Sequence, residues 1–422
     1  PGPLEGPGFF RYLEDFGCVR GGGPRNGVEY FGKRGVGMSG NSDSRWGVCC
    51  SVAFVWFATH FGGGFASGRQ LVDFYVKYGW YAVFTPILSV GLIALVLWCA
   101  WQFAVRHGVY DYHSWSVRYF EPLGWLEPVF SMLIEAMYLI ILLLATGVAF
   151  ATGGTVLNHI FPDVPYHVGT VGLAVLILSL TIWGSGTVRK ASTVMSLLII
   201  AGMLVIYSSN LVANFPRLLQ VMRELPEAEG GFWPALWQSV KYAALQCSLV
   251  GAYTAVADGL RTSRDVNRTT LLGFCVNAGM LTLASVGALL HFPAILSERA
   301  PVTYITQHGG GGALGVVLVS ALILLAVVST GVGLIYGSTR RITAWWSART
   351  GRPASRKVDV AASAVYVVAS WCVASYGLIP LIAKGYAWVG AMSAPLIVAP
   401  ILLVALWRVL RTARTPAVAA EG

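Results

Sequence analysis

Long apolar stretches are the feature that most limits what this chain can fold into. A helix needs about 20 mainly apolar residues to cross a bilayer. Each backbone N–H and C=O in hydrocarbon must be paired within its own segment, so such stretches are predicted to be helices. The sequence therefore predicts an all-α membrane protein with ten transmembrane helices. They lie at residues 46–78, 80–105, 126–152, 166–188, 191–214, 234–262, 269–291, 313–338, 358–383 and 386–408.

The composition agrees with lipid as the surrounding solvent. Of the 422 residues, 56% are hydrophobic and only 11% are charged, whereas soluble proteins carry roughly 25% charged residues. So few charges cannot cover a globular surface in water. The net charge of +10 does not indicate nucleic-acid binding, because the basic residues lie between the apolar stretches rather than along one face.

The positions of Lys and Arg predict the orientation of the spans. With the N-terminus inside, 17 of these residues fall in inner loops and the C-terminal tail, and only 5 fall in outer loops. Basic residues are enriched on the cytoplasmic side of membrane proteins. This bias predicts a multi-pass protein of the plasma (inner) membrane with both termini in the cytoplasm.

The two ends of the chain differ from the rest. Residues 1–37 are rich in Gly and Pro and contain no apolar stretch, and Met38 follows them shortly before the first span. Residues 1–45 are interpreted as a tail that is disordered or results from a wrongly placed start. Residues 412–422 are predicted to be a cytoplasmic tail.

The first span contains a cluster of glycines at mid-membrane depth. It reads FGGGFASG from Phe61 to Gly68, and each glycine weakens a helix by about 1 kcal/mol relative to alanine. Unwound backbone survives there only when it is buried in protein or lines a wet cavity. One interpretation is a ligand site, with freed N–H groups facing an anion and freed carbonyls facing a cation. The other is a close helix-packing surface of small residues.

The sixth span carries a weaker interruption. Its middle mixes polar and small residues from Gln246 to Tyr253, although a continuous helix is an equally simple interpretation. Aromatic side chains near the breaks, Phe65 and Tyr253, are placed to close over a solute. The substrate-binding residues predicted from the two interrupted spans are Gly62, Gly63, Gly64, Phe65, Ser67, Gln246, Ser248, Gly251 and Tyr253.

The spacing of the two interrupted spans predicts an internal repeat. Five spans follow from each, at residues 46–214 and 234–411, and an odd number of spans makes the second half inverted relative to the first. Residues 215–233 between them are predicted to form an amphipathic helix on the outer surface. Inverted repeats with interrupted leading helices point to a binding site at the membrane midplane.

Two segments resemble a known family. The stretch FGGGFASGRQLVDFYVKYG from Phe61, and GYAWVGAMSAPLIVAPILL from Gly385, are similar to the YkvI-like conserved bacterial membrane proteins. The resemblance covers about residues 46–410. That family in turn resembles the LeuT-fold transporters of the amino acid–polyamine–organocation superfamily. The resemblance implies a LeuT-like fold with 5+5 inverted repeats, and transport in general, without naming a substrate.

The resemblance also implies a sodium site. LeuT-type sodium symporters keep two adjacent hydroxyl residues on the eighth helix, facing carbonyls of the first helix break. Ser329 and Thr330 match these positions, and the carbonyls of Ala58 and Phe61 would be their partners. Hard cations prefer oxygen ligands of this kind. Alternatively, the two hydroxyls bond to their own helix or to a neighbouring one. The break lacks the Asn that some members use for a second sodium.

Ionisable residues within the spans are functional candidates because each is costly in hydrocarbon. Glu135 and His60 are the candidates for proton coupling. A helix–helix hydrogen bond is the alternative for Glu135, and a hydrogen-bonded core histidine is the alternative for His60. Arg69 and Asp73, four residues apart, are expected to form an intrahelical pair or part of an outer gate.

These features predict a secondary active transporter rather than an enzyme. The expected activity is symport of a small organic solute such as an amino acid, coupled to Na⁺ or to H⁺. No cofactor is expected other than Na⁺ as a coupling ion, and the expected partners are the solute and the lipid bilayer, with no nucleic acid. The alternative is a membrane receptor or sensor that binds a small ligand with the same fold.

Overall fold

A computed structural model describes residues 42–110, 112–224, 231–309 and 312–414. Parts of three predicted segments lie outside the described residues. They are residues 1–41 and 415–422 of the two tails and residues 225–230 of the linker. Every secondary-structure element in the described chain is helical. The structure therefore confirms the all-α fold class.

The first half begins with a helix that is divided into three pieces and continues with long helices. Its α-helices are α1 (Ser42–His60), α2 (Gly63–Ala66), α3 (Arg69–Phe74), α4 (Thr85–His107), α5 (Tyr112–Phe120), α6 (Glu127–Ile160), α7 (Tyr166–Ser179), α8 (Ser185–Ala213) and α9 (Phe215–Glu224). Proline near the first position starts α4 and α6, where its missing N–H costs nothing. Gly108 ends α4 with a φ of 65°, the conformation that favours glycine.

The second half repeats this order with a milder interruption. Its α-helices are α10 (Phe232–Cys247), α11 (Val250–Ala255), α12 (Ser263–Leu289), α13 (Pro301–His308), α14 (Gly312–Thr350), α15 (Arg356–Ala374), α16 (Leu378–Pro380), α17 (Ala387–Ser393) and α18 (Ala399–Arg414). Thr262 and Asp265 form a capping box at the start of α12, which satisfies N–H groups that the helix itself leaves unpaired.

By length and composition, seven helical segments of the described chain could cross a membrane. They are Thr85–His107, Tyr112–Ile160, Tyr166–Trp183, Ser263–Leu289, Gly312–Ser347, Arg356–Ala374 and Leu378–Arg411. A pair bent by 76°, Leu197–Ala213 with Phe215–Val221, brings the number to eight when it is counted as one span. These segments overlap eight of the ten predicted spans, and the other two are the interrupted ones.

The bent pair contains the first part of the predicted outer linker. Helix α9 carries Phe215 and Leu219 as exposed apolar residues, and Arg217 donates a hydrogen bond to Gln220 on its polar side. An amphipathic helix that turns sharply from the preceding span is suited to lie along a membrane surface.

The outer surface of the bundle is apolar. Leu95, Val175 and Val368 are exposed in the interiors of α4, α7 and α15, where they would be costly in water and are favourable in lipid. Large tryptophans are exposed near helix ends, including Trp46, Trp125 and Trp233. Tryptophan is enriched where membranes meet water, so the surface agrees with a membrane-embedded bundle.

Glycines allow the closest helix crossings inside the bundle. A Cβ atom added to Gly390 on α17 would lie 2.1 Å from the backbone oxygen of Lys241 on α10. One added to Gly147 on α6 would lie 2.6 Å from a side-chain carbon of Val373 on α15. These contacts tie the sixth predicted span to the tenth, and the third to the ninth.

Gly390→Ala is expected to destabilise the protein by about 1–3 kcal/mol, because a backbone atom of α10 blocks the new methyl group. The matched control is Gly279→Ala in α12, where nothing lies within 4 Å of the added Cβ. There the higher helix propensity of alanine should leave stability unchanged or raised. Thermal unfolding of the purified variants in detergent measures both effects. Equal unfolding temperatures for the two variants would contradict the proposed crossing.

Candidate functional site

The first predicted span is interrupted where its glycines lie. The regular hydrogen-bond ladder of α1 ends with a bond from Phe61 N to Phe57 O of 2.9 Å. Among the described residues Gly62 N does not bond to Ala58 O, and the extended ψ of −176° at Gly62 turns the N–H of Gly63 away from its helical acceptor, Thr59 O. The single turn α2 follows, and a second break occurs at Gly68, whose φ is +78°.

The first break meets α14 at a predicted sodium ligand. The backbone N–H of Gly63 donates a 2.9 Å hydrogen bond to Thr330 Oγ1. A Cβ atom added to Gly63 would lie 2.9 Å from Val327 Cα and 3.1 Å from Ala326 O. The backbones of Gly63 and α14 are therefore so close that only glycine fits at this position. The Thr330 hydroxyl replaces the helical acceptor that the Gly63 N–H lacks.

Of the four predicted sodium ligands, two belong to the first span beside the break and two belong to α14. The Ala58 carbonyl lies at the end of α1 without its helical N–H partner, and Phe61 lies in the break itself. Thr330 reaches the break directly, and Ser329 precedes it on α14. The structure thus brings Thr330 to the place that the resemblance implied, although the bond it forms is to an N–H group rather than to a carbonyl.

His60 is a fully hydrogen-bonded core histidine. Its Nδ1 lies 2.7 Å from Asn277 Oδ1 and its Nε2 lies 2.8 Å from the Tyr242 hydroxyl. The amide nitrogen of Asn277 donates to the Gly273 carbonyl, so its oxygen accepts the Nδ1 proton and Nε2 accepts the tyrosine proton. A neutral imidazole therefore satisfies every group and joins α1, α10 and α12.

Aromatic rings surround the first break. Phe61 stacks on Phe57 at 4.4 Å and meets Phe65 edge-on at 4.3 Å between ring centroids. Phe65 is buried, as expected of a side chain beside a site. Ser67 accepts a hydrogen bond on its hydroxyl from Arg69 N at 3.3 Å, which pairs the first N–H group of α3.

The sixth span has a mild interruption between α10 and α11. Ser248 keeps helical angles, whereas Leu249 leaves them with φ −92° and ψ 12°. Leu249 N still bonds to Gln246 O at 3.1 Å. The Ser248 hydroxyl donates to the Leu245 carbonyl. Few backbone groups are freed here, so this break contributes less to a site than the first one does.

Two predicted binding residues of α11 have identifiable neighbours. A Cβ atom added to Gly251 would lie 1.9 Å from Tyr112 Cδ2, so an aromatic ring from α5 covers this glycine. The Tyr253 carbonyl accepts a bond from Trp101 Nε1 at 2.9 Å. The Tyr253 hydroxyl is buried without a hydrogen-bond partner among the described residues. Of the two, only the Tyr253 hydroxyl has unused hydrogen-bonding capacity.

Arg69 forms the intrahelical pair with Asp73 that its spacing predicted. Its guanidinium forms a bidentate pair with Asp73, with N···O distances of 2.9 and 2.8 Å. It also donates to the carbonyls of Leu296 and Glu298, at 2.9 and 2.8 Å. The arginine is buried and holds the segment between α12 and α13 against α3.

The second break is held by the first turn of α13. This turn directly follows the segment that Arg69 binds, residues 290–300, which is called the outer segment because the predicted topology places it outside. Val302 N donates to Ser67 O at 3.1 Å, and a Cβ atom on Gly68 would lie 2.8 Å from a side-chain carbon of Val302. The sequence could not reveal these contacts, because carbonyl partners leave no signal in the side-chain pattern. The only available signal was the GGFASGR stretch itself.

Glu135 is paired with a residue that the sequence had placed in an inner loop. It forms an ion pair with Arg341 of α14, whose guanidinium also lies 4.3 Å from the centre of the Tyr138 ring and 5.2 Å from that of Tyr112. The pair is partly exposed rather than deeply buried. This arrangement favours the helix–helix contact over proton coupling.

The fold is that of the LeuT-type transporters. The structure is similar to Mhp1 in its inward-facing conformation, with a TM-score of 0.59, 13% identity, and 84% of this chain and 76% of that chain covered. It is similar to MhsT in complex with L-phenylalanine, with a TM-score of 0.54, 12% identity, and coverage of 85% and 96%. A Na⁺-coupled sialic acid symporter gives a TM-score of 0.50, with 11% identity and coverage of 86% and 85%. At these identities the likeness shows the fold alone.

The resemblance to the YkvI-like proteins is also confirmed. The chain is 25% identical over 308 residues to the uncharacterised membrane protein YkvI of Bacillus subtilis strain 168, which covers 70% of this chain and 81% of the relative. No protein-family model matches the chain.

Thr330→Val is expected to destabilise the protein by about 1–3 kcal/mol, because the buried Gly63 N–H loses its acceptor while side-chain volume is kept. Thr330→Ser keeps the hydroxyl and should remain near the wild-type stability. Thermal unfolding in detergent distinguishes the two. A serine variant as unstable as the valine variant would show that the methyl group, and not the hydrogen bond, matters.

Arg69→Met should cost about 3–5 kcal/mol, because it leaves the buried Asp73 carboxylate unpaired. The double variant Arg69→Met/Asp73→Leu should recover most of that stability. Both variants lose the bonds to Leu296 and Glu298, so the outer segment should loosen in both. The rate at which a thiol reagent labels a cysteine placed at buried Val302 measures this loosening. Slow labelling in both variants would show that Arg69 does not hold the segment.

Proposed function

We propose that this protein is a secondary active transporter that carries a small organic solute together with Na⁺. The observation that carries the proposal is the hydrogen bond from Gly63 N to Thr330 Oγ1 at the unwound centre of the first span. Peptide groups that leave a helix inside a bilayer must find other partners. Here a hydroxyl of another helix stabilises the break, and the other peptide groups released by the break can then bind a ligand.

The proposed topology has ten spans with both termini in the cytoplasm. Seven segments could cross the membrane as single helices, and the bent pair is an eighth. The proposal counts the two interrupted stretches as the remaining spans. The pieces α1, α2 and α3 form one of them, and α10 with α11 forms the other, since only short breaks separate the pieces. The resulting halves, residues 46–214 and 234–411, each begin with an interrupted span, as an inverted repeat requires.

The proposed solute site lies beside the first break. Of the predicted residues Gly62, Gly63 and Gly64, Gly63 already donates its N–H to Thr330, so the N–H groups of Gly62 and Gly64 would bind a carboxylate, since the start of a helical segment favours negative charge. Polar groups of α10 and α11, from Gln246 and Ser248 to Tyr253, would contact the other end of the solute. The unpartnered Tyr253 hydroxyl supports this placement. An amino acid or a related zwitterion has the matching chemistry.

The proposed sodium site uses the carbonyls of Ala58 and Phe61 and the hydroxyls of Ser329 and Thr330. Thr330 Oγ1 can accept the Gly63 N–H and still offer a lone pair to a cation. The Ala58 carbonyl lacks its helical partner, which suits an oxygen ligand. Sodium is preferred to a proton as the coupling ion, because His60 is fully bonded as a neutral ring and Glu135 is paired with Arg341.

Transport would follow from rocking of the first and sixth spans against a scaffold of the third, fourth, eighth and ninth. The outer half of the first span, α3, is bound to the outer segment through Arg69. The two would therefore move together when the outer side opens.

Uptake of labelled amino acids by proteoliposomes tests this function. An imposed inward sodium gradient should drive accumulation of at least one solute. Thr330→Val should weaken the dependence on sodium by about tenfold or more, whereas Thr330→Ser should not, because only the serine variant keeps the oxygen ligand.

Two results would contradict parts of the proposal. Sodium-independent uptake driven by a proton gradient would move the coupling role to Glu135 or His60. Ligand binding without uptake of any solute would favour the receptor instead.

A further inference from the structure

Two histidines lie close together where α12 and α13 end. His291 follows soon after Leu289, which ends α12, and His308 is the last residue of α13. The centres of the two imidazole rings are 6.1 Å apart. His291 is partly buried and His308 is exposed. The predicted topology places both on the outer side, and neither belongs to the proposed solute site or the proposed sodium site.

Asn210 on α8 holds His291 in one tautomer. The amide nitrogen of Asn210 donates to the Gly287 carbonyl at 3.0 Å, and its Oδ1 accepts a bond from the Asn214 side chain at 3.0 Å. This Oδ1 also lies 3.0 Å from His291 Nε2, so Nε2 carries the proton. The lone pair of the neutral ring is then on Nδ1, to which no residue of the described ranges donates a hydrogen bond.

The backbone carbonyl of Tyr304 fixes the tautomer of His308 in the same way. It lies 2.9 Å from His308 Nδ1. Because a carbonyl oxygen only accepts, Nδ1 carries the proton and Nε2 carries the lone pair. The Tyr304 ring stacks on the His308 ring at 4.0 Å and meets the His291 ring edge-on at 5.6 Å between centroids. One aromatic side chain therefore positions both imidazoles.

A glycine lets the end of α13 approach the residue that orients His291. Gly309 directly follows His308, and a Cβ atom added to it would lie 2.7 Å from Asn210 Oδ1. A larger residue would push this end of α13 away from α8. The two histidines are therefore held near each other by the backbone as well as by their side-chain contacts.

This arrangement is the one that transition metals use in proteins. A neutral imidazole binds the metal through one nitrogen, while its other N–H donates to a carbonyl or carboxylate that orients the ring. Both histidines have such an oriented N–H and a lone pair on the opposite nitrogen. A zinc ion lies about 2.0–2.1 Å from each imidazole nitrogen. Rings 6.1 Å apart can share one ion after a small rotation of the exposed His308 side chain.

We propose that His291 and His308 together bind a divalent transition-metal ion such as Zn²⁺ on the outer side of the protein. Imidazole suits zinc, copper and nickel, whereas Mg²⁺ and Ca²⁺ prefer oxygen ligands. Within the part of the chain that the structure describes, no group of three or more His, Cys, Asp or Glu residues could hold a metal ion. Water would therefore complete the coordination of an ion held by the two histidines.

A metal ion at this position would link the outer segment to the end of α13. The stretch between the histidines includes Glu298, whose carbonyl accepts a bond from Arg69, and Val302, whose N–H donates to the Ser67 carbonyl. A bound ion favours the arrangement in which these contacts to the first span are formed. By linkage, it stabilises that conformation relative to one in which the outer segment has moved away.

Equilibrium dialysis of purified protein that carries no polyhistidine tag against Zn²⁺ tests the proposal. The wild type should bind a single Zn²⁺ ion saturably, and excess Mg²⁺ should not displace it. His308→Ala should weaken Zn²⁺ binding by about tenfold or more, because it removes one of the two protein ligands. His291→Ala should have a similar effect. The matched control is His167→Ala, which removes another exposed histidine of the predicted outer side and should bind Zn²⁺ as the wild type does.

The result for His308→Ala decides the proposal even when His291→Ala folds poorly, because the exposed His308 side chain can be removed without disturbing the buried Asn210. Three outcomes would overturn the proposal. They are unchanged Zn²⁺ binding in His308→Ala, equal weakening in His167→Ala, and no saturable binding to the wild type. The dialysis contains neither sodium nor an organic solute, so its outcome is independent of the uptake experiment that tests the proposed function.

Discussion

The structure depends on the rule that backbone N–H and C=O groups cannot stay unpaired in hydrocarbon. The first span breaks this pairing at Gly62, where the chain becomes extended. It is restored for Gly63 by a hydroxyl of α14. Such an exchange is possible only because glycine lets the two backbones approach within van der Waals contact. The proposed ion and solute would bind the peptide groups that this break releases from the helix.

The two breaks of the first span connect it to different parts of the molecule. The break at Gly62 contacts α14, which belongs to the proposed scaffold, and the break at Gly68 contacts the first turn of α13. The one-turn helix α2 lies between these attachments. Movement of α3 relative to α14 can therefore be absorbed by the breaks on either side of α2, without breaking the longer helices. Arg69 adds a buried charged contact beside the second break, to the carbonyls of Leu296 and Glu298.

The sequence predicted the helical class, the positions of most spans and the interruption of the first one. Those features are local, because the length of an apolar stretch and a cluster of glycines each determine the structure of their own segment. It could not distinguish a hydrogen-bonded His60 from a proton carrier, because the partners Asn277 and Tyr242 lie 217 and 182 residues away. Arg341 was counted as an inner-loop charge, and its pairing with Glu135 depends on how α6 and α14 cross. The interruption of the sixth span was a weaker signal in the sequence. Its break is mild in the structure, because the backbone around its polar residues retains most helical hydrogen bonds.

Hydrogen–deuterium exchange with and without sodium tests the central claim most directly. If sodium binds between the first break and α14, sodium should slow exchange in peptides covering residues 57–68 and 326–332. Potassium at the same ionic strength should not, and peptides of α4 should exchange equally in both salts. Exchange at the break that is the same in sodium and potassium would contradict the account, because the unwound peptide groups would then not form a sodium-binding site.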